Sequence, residues 1–208
     1  MKGLIIKDLY MTVKYCKVNI LIALLWILLS LGEANSLLFA FYSVFLCDVI
    51  PSNILAYDEK SRWLQYSETM PYTRTQIVSG KYIVGLIFHA ATLILIGSTR
   101  AATMISGGTF DFGSFGSYMM IISTMPLIAS AIVLPFMFKS GTEKGRLIHL
   151  VMLIIIIMVG GVTSKVINND VPEGVELLHT IPTGCIICIA LFALSWFLSI
   201  VFYRKREL

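Results

Sequence analysis

Six long apolar runs, set apart by short charged intervals, constrain this chain more than any other feature. A membrane-spanning helix needs roughly 20 mostly apolar residues, and the runs 18–35, 36–56, 77–99, 115–138, 147–164 and 185–203 meet or approach that length. A water-facing surface is not available to such a chain: 57% of its 208 residues are apolar and 13% are charged, against about 25% charged in a soluble domain. The mean hydropathy of +0.85 agrees. The expected fold is all-α and integral to a membrane, a single domain over 1–208 with six transmembrane helices. No linker or low-complexity tract divides it.

The basic residues sort by interval. Lys2, Lys7, Lys14, Lys17, Lys60, Arg62, Arg74, Lys81, Lys139, Lys144, Arg146, Arg204, Lys205 and Arg206 are 14 of the 16, and alternate intervals hold them, with Lys81 adjoining the 57–76 interval. Arg100 and Lys165 remain for the other side, beside Asp170, Glu173 and Glu176. Cytoplasmic loops of membrane proteins concentrate Lys and Arg. Both termini are therefore expected in the cytoplasm, with an even number of spans. The net charge of +4 reports this topology and not a nucleic-acid partner. Four lysines precede the first apolar run without a cleavage site of small residues, so that run is expected to be retained. The turn after it is only Gly32, Glu33, Ala34 and Asn35, and a re-entrant pair is the alternative to two full spans.

Three segments outside the runs carry structure. Residues 1–17 read as an amphipathic helix on the membrane surface, with Ile5, Leu9, Thr12 and Cys16 on one face and Lys7 and Lys14 opposite. The 57–76 interval reads as a polar helix over 58–69, a kink at Pro71, and a capping box of Thr73 and Gln76 that opens the next span. Its Trp63 and Tyr66 need a cover: either lipid headgroups, where such rings are common, or a docked protein. The outer interval 168–183 reads as a loop with a brief interfacial helix.

Chemistry is sparse. An ionisable group inside a membrane is costly to bury and is a functional candidate. Asp48, three residues before Pro51, is the clearest, facing either a translocation path or an interhelical hydrogen bond. His89 and His149 read as interhelical hydrogen-bonders. Cys185 and Cys188 sit in an apolar run, where thiols act as small apolar side chains. The chain has no P-loop, no H-E-x-x-H and no G-x-S-x-G. It is therefore not expected to be an enzyme, and catalytic, cofactor-binding and metal-binding residues are expected to be none. Gly97 with Ala101, and Gly160, Gly161 and Ser164, allow close helix packing within the chain or between copies.

Three stretches together resemble a known family. They are the opening Met1-Lys2-Gly3-Leu4-Ile5-Ile6-Lys7-Asp8-Leu9, the interval from Asp58 through Trp63, Pro71 and Arg74 to Lys81-Tyr82, and the run from Pro135 through Lys139 to Arg146. They resemble small permeases of type-2 ABC exporters, and most of all the bacterial phenol-soluble-modulin and bacteriocin-type group. The resemblance implies a six-helix permease in a bacterial cytoplasmic membrane, paired with an identical or sibling permease and with ABC ATPase subunits that bind the ATP and Mg. It implies export of amphipathic or antimicrobial peptides or of hydrophobic toxic compounds. It makes residues 1–17 an elbow helix. It makes Asp58, Glu59, Lys60, Arg62, Trp63, Tyr66, Glu68, Pro71 and Arg74 the ATPase-coupling segment, and leaves Asp48 without a role. Two other readings stay open: an ion-coupled secondary transporter, which usually shows internal repeats and several midplane polar groups, and a membrane assembly partner that transports nothing.

Overall fold

The computed structural model describes residues 2–31, 36–67, 69–108, 111–145, 147–152, 154 and 177–205. Every regular element among them is a helix: α1 (Lys2–Tyr15), α2 (Lys17–Leu29), α3 (Ser36–Asp48), α4 (Ile50–Lys60), α5 (Trp63–Ser67), α6 (Arg74–Ser106), α7 (Phe112–Ser140) and α8 (Leu177–Lys205). Short helical stretches at 142–145 and 147–152 follow α7.

Four segments are long and apolar enough to cross a bilayer: Leu37–Lys60, Arg74–Ser106, Phe112–Ser140 and Ile186–Lys205. α1 and α2 meet at an angle of 73° and count as a fifth if the bent pair is one span. The 13 residues of α2 rise only about 20 Å, short of the ~30 Å hydrocarbon core. The first expected run is thus not a full straight span over its described length. The expected fifth run, 147–164, lies mostly outside the described residues. α8 begins at Leu177 and so takes in residues 177–183 of the expected outer interval, whose other residues lie outside the described ones.

Local chemistry sets the ends of these helices. α6 opens with the expected capping box: Thr73 Oγ1 accepts from the Gln76 amide, and Gln76 Oε1 accepts from the Thr73 amide. α7 opens on Asp111, whose carboxylate accepts from Ser114 Oγ and from the Ser114 and Gly113 amides. Those bonds, the Ser114 hydroxyl first, hold the Asp111 carboxyl below the usual range. α3 and α4 part at Val49, beside Asp48. Pro51 has no N–H, so the carbonyl of Cys47 loses its helical donor there.

The polar helix expected over 58–69 does not form as one piece. α4 runs through Asp58 to Lys60, and Arg62 then adopts a left-handed φ of 55° that stops the helix before α5. A residue with a Cβ pays for that conformation where glycine would not.

The basic intervals gather at one end of the bundle. Glu59 at the end of α4 accepts from the Thr142 amide after α7 (2.8 Å). Arg74 at the start of α6 donates to the Arg204 carbonyl at the end of α8 (3.1 Å). Lys139 of α7 lies over the Phe202 ring of α8. Beneath these contacts a buried cluster of Leu4, Leu55, Tyr82, Leu134, Phe138 and Tyr203 joins α1, α4, α6, α7 and α8. At the opposite end Arg100 sits over the Tyr118 ring, 5.0 Å from its centroid. Many large side chains, among them Leu21, Leu28, Ile94, Ile186 and Phe197, point outward, as suits helices whose solvent is lipid.

Candidate functional site

The packing of α1 on the bundle places an acid where none would be tolerated alone. Leu4, Asp8 and Thr12 recur at helical spacing and are all buried, the one-face periodicity of a packed helix. Asp8 is 1% exposed, as is Lys81, which lies in the second turn of α6, and Asp58, which lies in the last turn of α4. Lys81 Nζ donates to Asp8 (2.7 Å) and to Asp58. Lys7 Nζ donates to both oxygens of Asp58 (2.8 and 2.9 Å) and lies 3.2 Å from Asp8. Two carboxylates and two ammonium groups thus alternate, with no net charge. Mutual pairing is what lets the group remain buried, since an isolated buried ion costs on the order of several kcal/mol. The cluster locks α1, α4 and α6 to one another at the basic end.

Lys7 also covers Trp63, with its ammonium 4.3 Å from the ring centroid. The ring, expected to need a cover, is half-buried and finds Lys7 of α1 over it. Lys7 therefore turns inward, not to the polar face expected for it.

The eight described residues of the nine assigned to coupling do not form one surface. Asp58 is inside the ion cluster and is not presented to anything outside. Glu59 is half-buried and holds the 142 amide, and Arg74 is half-buried on the end of α8. Lys60, Arg62, Tyr66 and Pro71 project outward, Tyr66 at 58% exposure. Glu68 lies outside the described residues. Beside the projecting group a polar groove of about 550 Å³ runs between Glu59 and Lys60 on one side and Ser140, Thr142, Glu143 and Lys144 on the other.

In the sequence Asp8 figures only within a stretch that carries the resemblance, and Lys81 only there and among the basic residues; neither is singled out as a site residue. One signal was available. Lys81 stands four residues into an apolar run and so requires a buried acid, and Asp8 falls on the apolar stripe of α1 when that stripe is drawn through Leu4 and Thr12.

A second polar group lies deeper. Asp48 is buried, and both of its oxygens are within reach of His89 Nδ1 (3.0 and 3.1 Å). His89 Nε2 is 3.0 Å from Ser123 Oγ. The chain of contacts links α3, α6 and α7. Asp48 and His89, read separately from sequence, are partners. His149 makes no such bond: its ring packs on Phe45, and neither nitrogen has a hydrogen-bond partner among the described residues. Further toward the basic end, Tyr82 Oη bonds Ser195 and Ser199 (2.8 and 2.7 Å), and Trp196 stacks on Tyr82 while donating to Ser79. This seam joins α6 to α8. Gly97 packs against Met119 of α7, so its close approach is within the chain. Cys188 is a free, buried thiol.

Apolar helices long enough to span, collected by charge at one end and locked there by buried ion pairs, define a multi-pass membrane protein. The family model described as ABC-2 family transporter protein matches residues 3–204. The chain belongs to that family, whose members are membrane components without a nucleotide-binding domain that work with an ABC ATPase. No curated protein matches the chain, and no solved structure does.

Proposed function

We propose that this chain is the permease subunit of an ATP-driven exporter in a bacterial cytoplasmic membrane, with both termini and the 57–76 segment in the cytoplasm. Six spans complete the permease, which pairs with a second permease, identical or sibling. A separate ATPase, holding the ATP and Mg, docks on Lys60, Arg62, Tyr66 and Pro71. The cargo is an amphipathic peptide or a hydrophobic toxic compound, for which apolar helix faces are a suitable path.

The observation that carries this reading is the attachment of Asp58. The exposed part of the segment is free to meet a partner, while its root is held to α6 through Lys81 and to α1 through Lys7. A push on Tyr66 or Arg62 therefore has a stiff route into a spanning helix and into the elbow. A loop that merely lay on headgroups would need no such root. The positive-inside rule supplies the side.

Affinity purification in mild detergent, followed by an ATPase assay on the purified complex, tests the reading. A nucleotide-binding subunit should co-purify, and Arg62→Glu or Tyr66→Ala should uncouple hydrolysis from transport without affecting insertion. Purification of the chain with no such subunit would sink the proposal, and would favour an assembly partner or a secondary transporter.

A further inference from the structure

We propose that Asp48, His89 and Ser123 form a proton-binding site inside the membrane domain, with the imidazole of His89 as the acceptor. The inference stands apart from the ATPase reading, because it concerns this chain alone. Its basis is the arrangement of three groups from three helices around one ring. Asp48 of α3 meets Nδ1 at 3.0 Å and Ser123 of α7 meets Nε2 at 3.0 Å. Asp48 is 6% and His89 5% exposed.

A carboxylate only accepts hydrogen bonds, whereas a hydroxyl both donates and accepts. With His89 neutral, Nδ1–H donates to Asp48 and Nε2 accepts from the Ser123 hydroxyl. With a proton added to Nε2, the imidazolium still donates to Asp48, and Nε2–H now donates to Ser123 Oγ. The hydroxyl need only rotate. In both states each ring nitrogen has a hydrogen-bond partner, so taking up a proton leaves neither nitrogen unpaired, the usual cost of changing charge in an interior. The added charge is balanced by Asp48. A purely structural contact between helices would be served by one hydrogen bond of fixed direction. Here the acceptor on one side and the reversible hydroxyl on the other allow either state.

The pair also has an opening. A cavity of about 10 Å³, roughly the space one water requires, is bounded by Asp48, His89, Tyr82 and Ser130. The groups facing the pair are few. Cys47 adjoins Asp48 on α3, and Tyr82 lies on α6 with its hydroxyl engaged by Ser195 and Ser199 of α8. α4 contributes Pro51, and α7 Leu127, Ser130 and Leu134, to the cavity wall. His149 reaches α3 only on the face of Phe45. Lys7, Lys81, Asp8 and Asp58 are engaged with one another. Among the described residues, no second charged group is hydrogen-bonded to the pair.

The test is nitrogen NMR of the full chain in lipid nanodiscs. The sequence has three histidines, so the double variant H149Q/H179Q leaves His89 as the only ring observed. Across a titration from about pH 8 to about pH 5, the range in which histidine is the side chain that changes charge, Nε2 should pass from bare to protonated while Nδ1 stays protonated. A ring in the same state at both ends of the titration would overturn the proposal. In the D48N background the ring should bind its proton at least tenfold more weakly, since the balancing charge is gone. An unmoved midpoint would overturn the pairing. Should D48N fail to insert, S123A keeps the pair and is expected to weaken proton binding several-fold, because bonds from a charged donor are the stronger kind. No change in S123A would equally overturn the three-residue site.

Discussion

Lys81 of α6 holds Asp8 and Asp58 at once, although they lie 73 and 23 residues away in the chain. The ammonium sits between two carboxylates that would otherwise repel, and Lys7 closes the other side. This joint ties α1, the end of the broken α3–α4 span and the long α6 helix to one another. It lies directly behind the residues that project outward from the 57–76 segment.

Removing the middle of that joint should be costly. Lys81→Met leaves two buried carboxylates to share Lys7, and breaking a buried pair in this way costs about 3–5 kcal/mol. Thermal unfolding in detergent should register the loss, and adding Asp8→Asn should regain part of it. Equal stability of wild type and Lys81→Met would show that the cluster is open to water.

Asp58 and Arg62 should separate although they are four residues apart. Asp58→Asn is expected to lower stability, because it leaves Lys7 and Lys81 sharing one carboxylate. Arg62→Gly should be neutral or stabilising by up to about 1 kcal/mol, since glycine takes a positive φ without penalty. The informative comparison is with ATP hydrolysis in the complex: Arg62→Gly should lower coupling while the fold gains, and retained coupling would remove Arg62 from the docking surface.

Tyr82→Phe strips the hydroxyl that Ser195 and Ser199 share. Hydrogen bonds between membrane helices are worth about 0.6 kcal/mol on average and up to about 2. A loss of that size should appear in unfolding, together with faster hydrogen exchange along the α6–α8 seam. The stacking of Trp196 on the ring is unaffected by the change, so a much larger loss would mean that the seam depends on more than these bonds.

Gly85 is needed for close approach. A Cβ there would lie 2.8 Å from the Pro51 ring, which is too rigid to swing aside. Gly85→Ala should force α6 away from the α3–α4 break and cost about 1–3 kcal/mol, as overpacking does. A disulfide trap between the two helices would report the displacement.

Asp111 gives a pH dependence with a definite sign. Its carboxyl is held below the ordinary value near 3.9 by Ser114 and Gly113, so the folded state favours the ionised form. Its contribution is fully present above that ordinary value and disappears as pH falls through the lower folded-state value. The protection of the Gly113 and Ser114 amides, exchange measured relative to the intrinsic rate at each pH, should therefore fall only below about pH 4. In Asp111→Ala that protection should be low at every pH.

The spans that the structure describes were legible because lipid imposes a length and a composition that no other fold requires. α6, α7 and α8 overlap the apolar runs that announced them, and each extends beyond its run into polar residues. The capping box at Thr73 was legible too, being a matter of local spacing. The break at Arg62 was not, since nothing in the residue type demands a left-handed backbone; that conformation answers to the fixed positions of Asp58 behind it and Trp63 ahead. The site was half legible. Asp48 and His89 stood out as polar groups in apolar runs, yet their partnership depends on how α3 crosses α6.

Sequence by itself determined that this chain lives in a membrane and which intervals share a side, because hydropathy and charge are sums over neighbours along the chain. Only the tertiary structure decided which charges face one another. Lys7 was set on the polar face of a surface helix and Asp58 on a docking loop, and both turned inward. Helix periodicity says which residues share a face, but the direction that face points is fixed by what packs against it. Here that was Lys81, a cation that could remain in an apolar helix only by drawing two acids to itself.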